Sequence, residues 1–307
     1  MKRRGALSLT FLILLLSLSS CASTRKPDRL VLWHTLEAPV ARMALERKIH
    51  DYNRQHPEVE VVPILAGKSD ASLTAIQRAG TTKDRPDLIW AYPALAAQLA
   101  DSGVAVPLDD YLKDFDQSSV YPVLWQQTTY RGKIWGLPFD HDNLAIFYNK
   151  NHFREADLSI PRTWSEFRAV ARSLTKEGRH GFLVPFGKEE WAVWTWETLL
   201  WQAGGDLLDS HAQPVFDSPA GVRALAFWRG LLADGSAVPS LPEKGAKPDD
   251  FIQGKVSMFM SGPWTLSELP RNFPYGVFPL PRGDRAAGGR PRRGSCAAVR
   301  RGSKGRS

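Results

Sequence analysis

The sequence predicts an α/β protein with largely parallel strands, and three observations carry that expectation. Between residues 29 and 281 short β-rich runs alternate with stretches of helical period, the order that builds βαβ units. Without an N-terminal export segment, about 285 residues of ordinary hydrophobic content remain, enough for two domains around sizeable cores or for one large one. The stretch from Tyr130 to Asn149 reads as extended chain broken by two glycines and a proline, the kind of segment that carries a chain from one lobe to another.

The elements follow in order. Residues 1–21 open with Met1-Lys2-Arg3-Arg4, continue as the apolar run Leu7 to Leu18 and close on Ser19-Ser20-Cys21, the layout of a charged n-region, an h-region and a small-residue cleavage site. The run is too short to span a bilayer comfortably and polar residues follow it at once, so it reads as an export signal peptide rather than a permanent transmembrane helix. A cysteine directly after two small residues resembles a lipobox, which makes Cys21 the candidate site of lipidation. The other cysteine, Cys296, offers no credible partner, and no disulfide framework is expected.

Arg29 to Trp33 reads as a buried strand. Ala41, Leu45, Ile49 and Tyr52 then mark one face of a helix that ends before Pro57. Val59 to Leu65 and Asp87 to Trp90 are the next strands, the second followed by a helix carrying Leu95 and Leu99 and stopped at Gly103. Beyond the extended crossing, Thr163 with Glu166 three residues on forms a capping box for a helix through Phe167, Val170 and Leu174 to Gly178. Asp217-Ser218-Pro219 starts another, expected to bury Val222, Leu225 and Leu232. Lys255 to Met260 is a strand, and the turn Ser261-Gly262-Pro263 is expected to be a return crossing.

Charge excludes one class of partner. The net charge of +8 comes from 40 Lys and Arg against 32 Asp and Glu; nine of the former and one of the latter fall in residues 282–307, leaving 31 of each in residues 1–281. The body is neutral, so no basic face supports binding of nucleic acid. Residues 282–307 are rich in Gly, Arg and Ser without apolar periodicity, and are expected to form a disordered basic tail.

Catalytic signatures are absent from the sequence: no Gly-x-Ser-x-Gly, no phosphate-binding glycine loop, no His-Glu-x-x-His and no cysteine pair with metal spacing. His141 between Asp140 and Asp142 points away from both neighbours on an extended strand, which disfavours a metal site. The adjacent acids Asp109/Asp110 and Glu189/Glu190 read as solvated helix starts. Tryptophan is the abundant chemistry, with eleven in all. Indoles stack on the C–H faces of sugars while carboxylates and amides take the hydroxyl hydrogens. Trp164 and Trp228 sit at helical spacing among aliphatic residues and are assigned to cores. Trp33 and Trp90 stand at strand C-termini, where open α/β sheets bind ligands. Trp264 follows a proline turn, and Trp191 and Trp194 are expected in a loop-like stretch after Phe186-Gly187.

These stretches resemble, in order, the extracellular solute-binding proteins of carbohydrate ABC importers, the group of maltose, multiple-sugar and glycerol-phosphate binding proteins. The residues that carry the resemblance are Leu30-Val31-Leu32-Trp33-His34, Pro86-Asp87-Leu88-Ile89-Trp90, Gly132-Lys133-Ile134-Trp135-Gly136-Leu137-Pro138, Phe147-Tyr148-Asn149-Lys150, Pro161-Arg162-Thr163-Trp164-Ser165-Glu166-Phe167, Gly204-Gly205, Gly254-Lys255-Val256-Ser257-Met258 and Gly262-Pro263-Trp264. The resemblance implies a two-lobe periplasmic-binding-protein fold, type II-like, with one lobe from residues 28–137 and 262–281 and the other from 138–261. It implies a ligand-binding cleft drawing on Trp33, His34, Thr35, Trp90, Asp140, Asp142, Trp191, Trp194 and Trp264, with Tyr148 there or packing the hinge. It further implies a monomer, extracytoplasmic in the cell envelope and held to the membrane by a lipid anchor. The expected partners are a carbohydrate or polyol-like small molecule and ABC permease subunits, with no cofactor, no metal and no enzymatic activity. The family usually continues past a Pro-Leu-Pro and Gly-Gly stretch with further helices; here an arginine-rich string follows, and the chain is expected to lack the C-terminal part of the fold, as after truncation or a frameshift. A secreted carbohydrate-acting hydrolase, an adhesive scaffold and a non-functional fragment are the alternatives.

Overall fold

The computed structural model describes residues 27–36, 39–66, 86–139, 142–186, 190–209, 211, 213–240, 248–283, 298–299 and 302–303. Cys21, Asp140, His141, Glu189 and most of the tail lie outside the described residues. The chain forms a two-lobe α/β fold around two separate sheets.

The first sheet is built as the periodicity predicts. Strand β1 (Asp28–His34) and strand β2 (Val59–Leu65) pair in parallel, joined by helix α1 (Pro39–Gln55). Helix α1 lays Leu45 and Ile49 against Leu32, Leu36 and Trp90, while Tyr52, expected on that face, is exposed and stacks on His56 at 4.3 Å. The short strand β3 (Leu88–Ile89) adds in parallel to the other side of β1, giving the order β2-β1-β3. The Asp87 carboxylate accepts the Val31 N–H at 2.8 Å and fastens the entry to β3. Helix α2 (Ala96–Asp101) buries Leu99, and Gly103, at φ +66, turns the chain out of it.

Helix α3 (Pro122–Thr128) leads into the crossing. Strands β4 (Thr129–Tyr130) and β5 (Lys133–Ile134) form a hairpin whose turn residues Arg131 and Gly132 both have positive φ, as a two-residue hairpin loop requires. Three further extended pieces follow, β6 (Leu137–Pro138), β7 (Asp142–Asn143) and β8 (Ala145–Asn149).

The second sheet has five strands in the order β10-β9-β11-β8-β12. Helix α4 (Lys150–Glu155) follows β8, and helix α5 (Trp164–Leu174) precedes β9 (His180–Val184). Helices α6 (Glu190–Gln202) and α7 (Pro219–Ala233) come before β10 (Ala237–Pro239), and the short helix α8 (Asp249–Ile252) before β11 (Val256–Ser261). Strand β12 (Tyr275–Phe278) closes the sheet against β8. Alternation sorts the side chains to two faces. Ile146, Phe182, Val184, Met258 and Met260 pack under α5 and α7, whereas Phe147, Leu183 and Phe259 pack with Phe251 and Leu269. Both faces are therefore covered, which is why every residue of β11 is buried.

At the start of α5 the Thr163 hydroxyl accepts the Glu166 N–H at 3.2 Å, and the Glu166 carboxylate reaches back to the Arg162 N–H at 2.6 Å. The predicted cap is present with its return bond shifted by one residue. The helix stops at Leu174, short of Gly178, because Thr175 leaves helical geometry.

Three expectations are corrected. Helix α7 buries Ala220, Ala224, Trp228 and Leu231, and leaves Val222 and Leu225 exposed at 63% and 55%; small alanines let the helix approach the sheet closely while Trp228 fills the gap. Residues 262–281 do not return to the first lobe. Strand β12 pairs antiparallel with β8, and Leu269, Phe278 and Leu280 join the second lobe's cores; backbone pairing to an open strand edge outweighs what the Gly-Pro turn signals locally. The described part of the tail is not without structure. Ala298–Val299 pairs with β7 and Gly302–Ser303 with β6, since ladder bonds form between backbone groups whatever the apolar pattern.

Acid sensitivity is built into α4. Its Glu155 carboxylate is held down to about 2 by hydrogen bonds from Lys176 and Arg179, and its His152, whose Nδ1 lies 3.0 Å from Ser257 Oγ, is pushed down to about 4 by burial and then by Arg179. A depressed histidine means the unfolded chain takes the proton first, so stability falls as pH drops from 6.5 to about 4. The depressed carboxylate stabilises the fold above 4.5, and that contribution is lost as pH falls toward about 2. Denaturant titrations across pH should show His152→Asn flattening the upper window and Glu155→Gln the lower one; unchanged slopes in both variants would contradict this assignment.

Candidate ligand-binding site

Strands β9 and β11 are parallel, so their carboxyl ends share one edge of the second sheet, and β8 runs the other way, with Ala145 opposite Ser261. Phe186 after β9, Trp264 after β11 and the segment entering β8 therefore gather at the same edge. The ring contacts bring the first turn of α6 there too. Trp191 and Trp194 lie edge to face at 5.2 Å, and Trp264 lies 6.0 Å from the first and 5.8 Å from the second. All three indoles are half-buried. Residues far apart in sequence thus converge as the one three-tryptophan cluster among the described ring contacts.

Trp191 and Trp194 stand on a helix, correcting the loop-like expectation. Helix α6 is apolar on nearly every side and therefore shows no amphipathic period. Its Thr195 and Thr198 are fully buried and satisfy their hydroxyls by donating back to the Trp191 and Thr195 carbonyls at 2.8 and 2.7 Å.

At the first sheet, the Trp90 N–H donates to the Trp33 carbonyl at 2.8 Å, so the carboxyl ends of β1 and β3 meet. Trp33 is half-buried, while His34, Thr35 and Trp90 are buried at 2%, 5% and 5% exposure. His34 Nδ1 accepts the Leu36 N–H at 3.3 Å. The Trp90 indole nitrogen is buried with no acceptor among the described residues, a donor that protein interiors rarely leave unpaired. Its ring is covered by Phe139 at 4.3 Å.

Phe139 links the two edges. It touches Trp90 of the first lobe, and the run from it to Ala145, which pairs with Ser261 of the second, spans at most about 22 Å when extended. Phe139 and Phe186 are exposed at 49% and 59%, and sequence reading missed both. Phe186 stands two residues past the carboxyl end of the buried strand β9, so the rule that selected Trp33 and Trp90 extends to it. Asp140 lies outside the described residues; Asp142 is placed by its backbone pairing with Val299. Tyr148 packs against Phe153 and Phe278 in the second lobe's core.

A cavity of about 560 Å³ lies elsewhere, between α5, the end of α6 and α7. Its groups are engaged with one another: Arg168 and Arg172 both hold Asp234, at 2.7 and 2.8 Å, Arg223 donates to the Ala203 carbonyl and the Trp164 indole to Gln202. Burial raises the Asp234 carboxyl, but Ser236 and the two arginines outweigh it and keep the group well below the usual carboxylate range. This groove is a packing feature of the helical layer. Trp164 and Trp228 are buried, as their helical spacing predicts. Among the described residues no cluster of His, Cys, Asp and Glu has the makings of a metal site, and no helix is long and apolar enough to cross a membrane.

Known proteins share this architecture. The chain is 23% identical over 256 residues to a maltotriose-binding protein of Pyrococcus abyssi, an alignment covering 82% of the chain. The GacH receptor of Streptomyces glaucescens, solved unliganded and with acarbose, superposes with a TM-score of 0.76 at 26% identity, over 92% of this chain and 72% of that one. UgpB of Mycobacterium tuberculosis, solved with glycerophosphocholine, gives 0.76 at 23% identity over 91% and 70%. The chain spans 47% to 53% of the length of the first curated relatives it matches. A family model matches residues 35–304, from the residue after β1 through the second sheet and into the arginine-rich stretch, and the chain belongs to that family, the bacterial extracellular solute-binding proteins.

Proposed function

We propose that this chain is the substrate-binding component of an ABC importer, which takes a sugar or sugar-like solute into the space between its lobes and delivers it to the permease. The observation that carries the reading is the convergence of Trp191, Trp194 and Trp264 at the carboxyl edge of the second sheet, where open α/β sheets bind their ligands. Trp33, His34, Thr35 and Trp90 supply the opposite wall, with Asp140 and Asp142 on the crossing between them. The Trp90 indole N–H, with no acceptor among the described residues, suits a ligand oxygen. Ligand contacts made with both lobes would favour the closed state by their differential affinity. The work is binding and release; no bond of the ligand is broken.

A neutral oligosaccharide is favoured over a glycerol phosphate. The cluster is made of indoles, and Arg168, Arg172 and Arg179 of the same lobe are already paired with Asp234 and Glu155. Among the relatives' names, maltotriose and acarbose agree with this reading, whereas glycerophosphocholine, held by UgpB of Mycobacterium tuberculosis, names the competing ligand class. The lobes are assigned to residues 28–137 and 138–283, the protein acts as a monomer, and diacylation of Cys21 holds it on the outer side of the membrane. A thermal-shift panel of neutral oligosaccharides, polyols and glycerol phosphodiesters tests the ligand class. Oligosaccharides should raise the melting temperature in a saturable way; a rise with phosphodiesters alone would replace the saccharide assignment.

A further inference from the structure

We infer that Gly262 is the positioning residue of the tryptophan cluster: the side chain missing at 262 is the space into which the Trp264 indole folds. A Cβ at Gly262 would lie 2.1, 2.2 and 2.7 Å from ring carbons Cζ3, Cη2 and Cε3 of Trp264. Backbone conformation is not the reason for glycine here. Its φ of −118° and ψ of −174° are extended, open to any residue. The requirement is steric and falls on one ring.

The turn around it is closed by its own bonds. Ser261 and Thr265 are fully buried, with their hydroxyl oxygens 2.6 Å apart, and Pro263 begins the 3-10 turn that carries Trp264. With this clamp in place, an alanine at 262 has no backbone escape, and the indole must leave for another rotamer. Leaving breaks its approach to Trp191 and Trp194 at 6.0 and 5.8 Å. Gly262 thereby holds a preformed platform, which lowers the ordering penalty on binding. This use of the platform rests on the saccharide-binding reading; the steric role does not.

Far-ultraviolet circular dichroism of the full chain without ligand tests it, because closely spaced indoles give an exciton couplet. The couplet should fall in Gly262→Ala to the level of Trp264→Ala. Thermal midpoints close a double-mutant cycle: alanine at 262 should lower the midpoint of the parent chain and leave that of Trp264→Ala unchanged. If Gly262→Ala does not fold, the double variant Gly262→Ala/Trp264→Ala must still melt like Trp264→Ala. A retained couplet, or an equal drop in both backgrounds, overturns the inference. Failure of the parent chain to bind any oligosaccharide of the panel would instead sink the saccharide reading and leave the steric role of Gly262 standing.

Discussion

Trp264→Ala should weaken saccharide binding by about tenfold or more while the chain remains folded. A stacked aromatic contact is worth on the order of 1–3 kcal/mol, and about 1.4 kcal/mol corresponds to a factor of ten. The fold should survive because the turn carrying the ring is fastened by the Ser261–Thr265 pair and by β11, neither of which depends on the indole. Calorimetric titration of the parent and variant with maltotriose reads the affinity, and a thermal melt reads the fold. The paired outcome matters. Loss of binding with a cooperative melt assigns the ring to the site, whereas intact affinity would remove the second-lobe cluster from it.

The opposite pattern is expected at Phe182. This residue is 1% exposed at the centre of β9, meets Phe167 edge to face at 5.0 Å, and sits between β10 and β11. Phe182→Ala should lower unfolding stability by about 3–5 kcal/mol, the usual toll of truncating a fully buried phenylalanine. Denaturant unfolding checks this through the midpoint at unchanged slope. At ligand concentrations well above the dissociation constant, the folded fraction should bind as the parent does. A change below about 1 kcal/mol would mean that the core of the second lobe relaxes around the cavity or is less tightly packed than its burial indicates.

Much of the fold was legible because local pattern and tertiary use agree. In β1, α1 and β2 the period and the breakers match the observed elements, with Leu45 and Ile49 buried and Tyr52 the exception on the predicted face, and register follows from alternation. Agreement fails where more than one face is apolar. Helix α7 carries apolar residues on two sides, and only the size of Trp228 and the smallness of Ala220 and Ala224 decide which side meets the sheet. Helix α6 has no polar stripe, so its first turn read as loop. The destination of residues 262–281 depends on a partner strand more than a hundred positions away, which no local signal encodes.

The candidate residues could be nominated from the sequence one by one, but not their grouping. Strand-end position selected Trp33 and Trp90, the proline turn pointed to Trp264, and the stretch after Phe186-Gly187 nominated Trp191 and Trp194. That these last two meet Trp264 is a fact of folding alone. Phe139 and Phe186 were missed because attention to tryptophan passed over exposed phenylalanines in equivalent places.

The most direct test of saccharide capture by the indole cluster is a tryptophan-fluorescence titration of the full chain with maltotriose, run beside Trp264→Ala. A saturable change in the parent chain, strongly weakened in the variant, is the predicted result. A cooperatively folded parent chain with no change, or an equal change in both proteins, would contradict it.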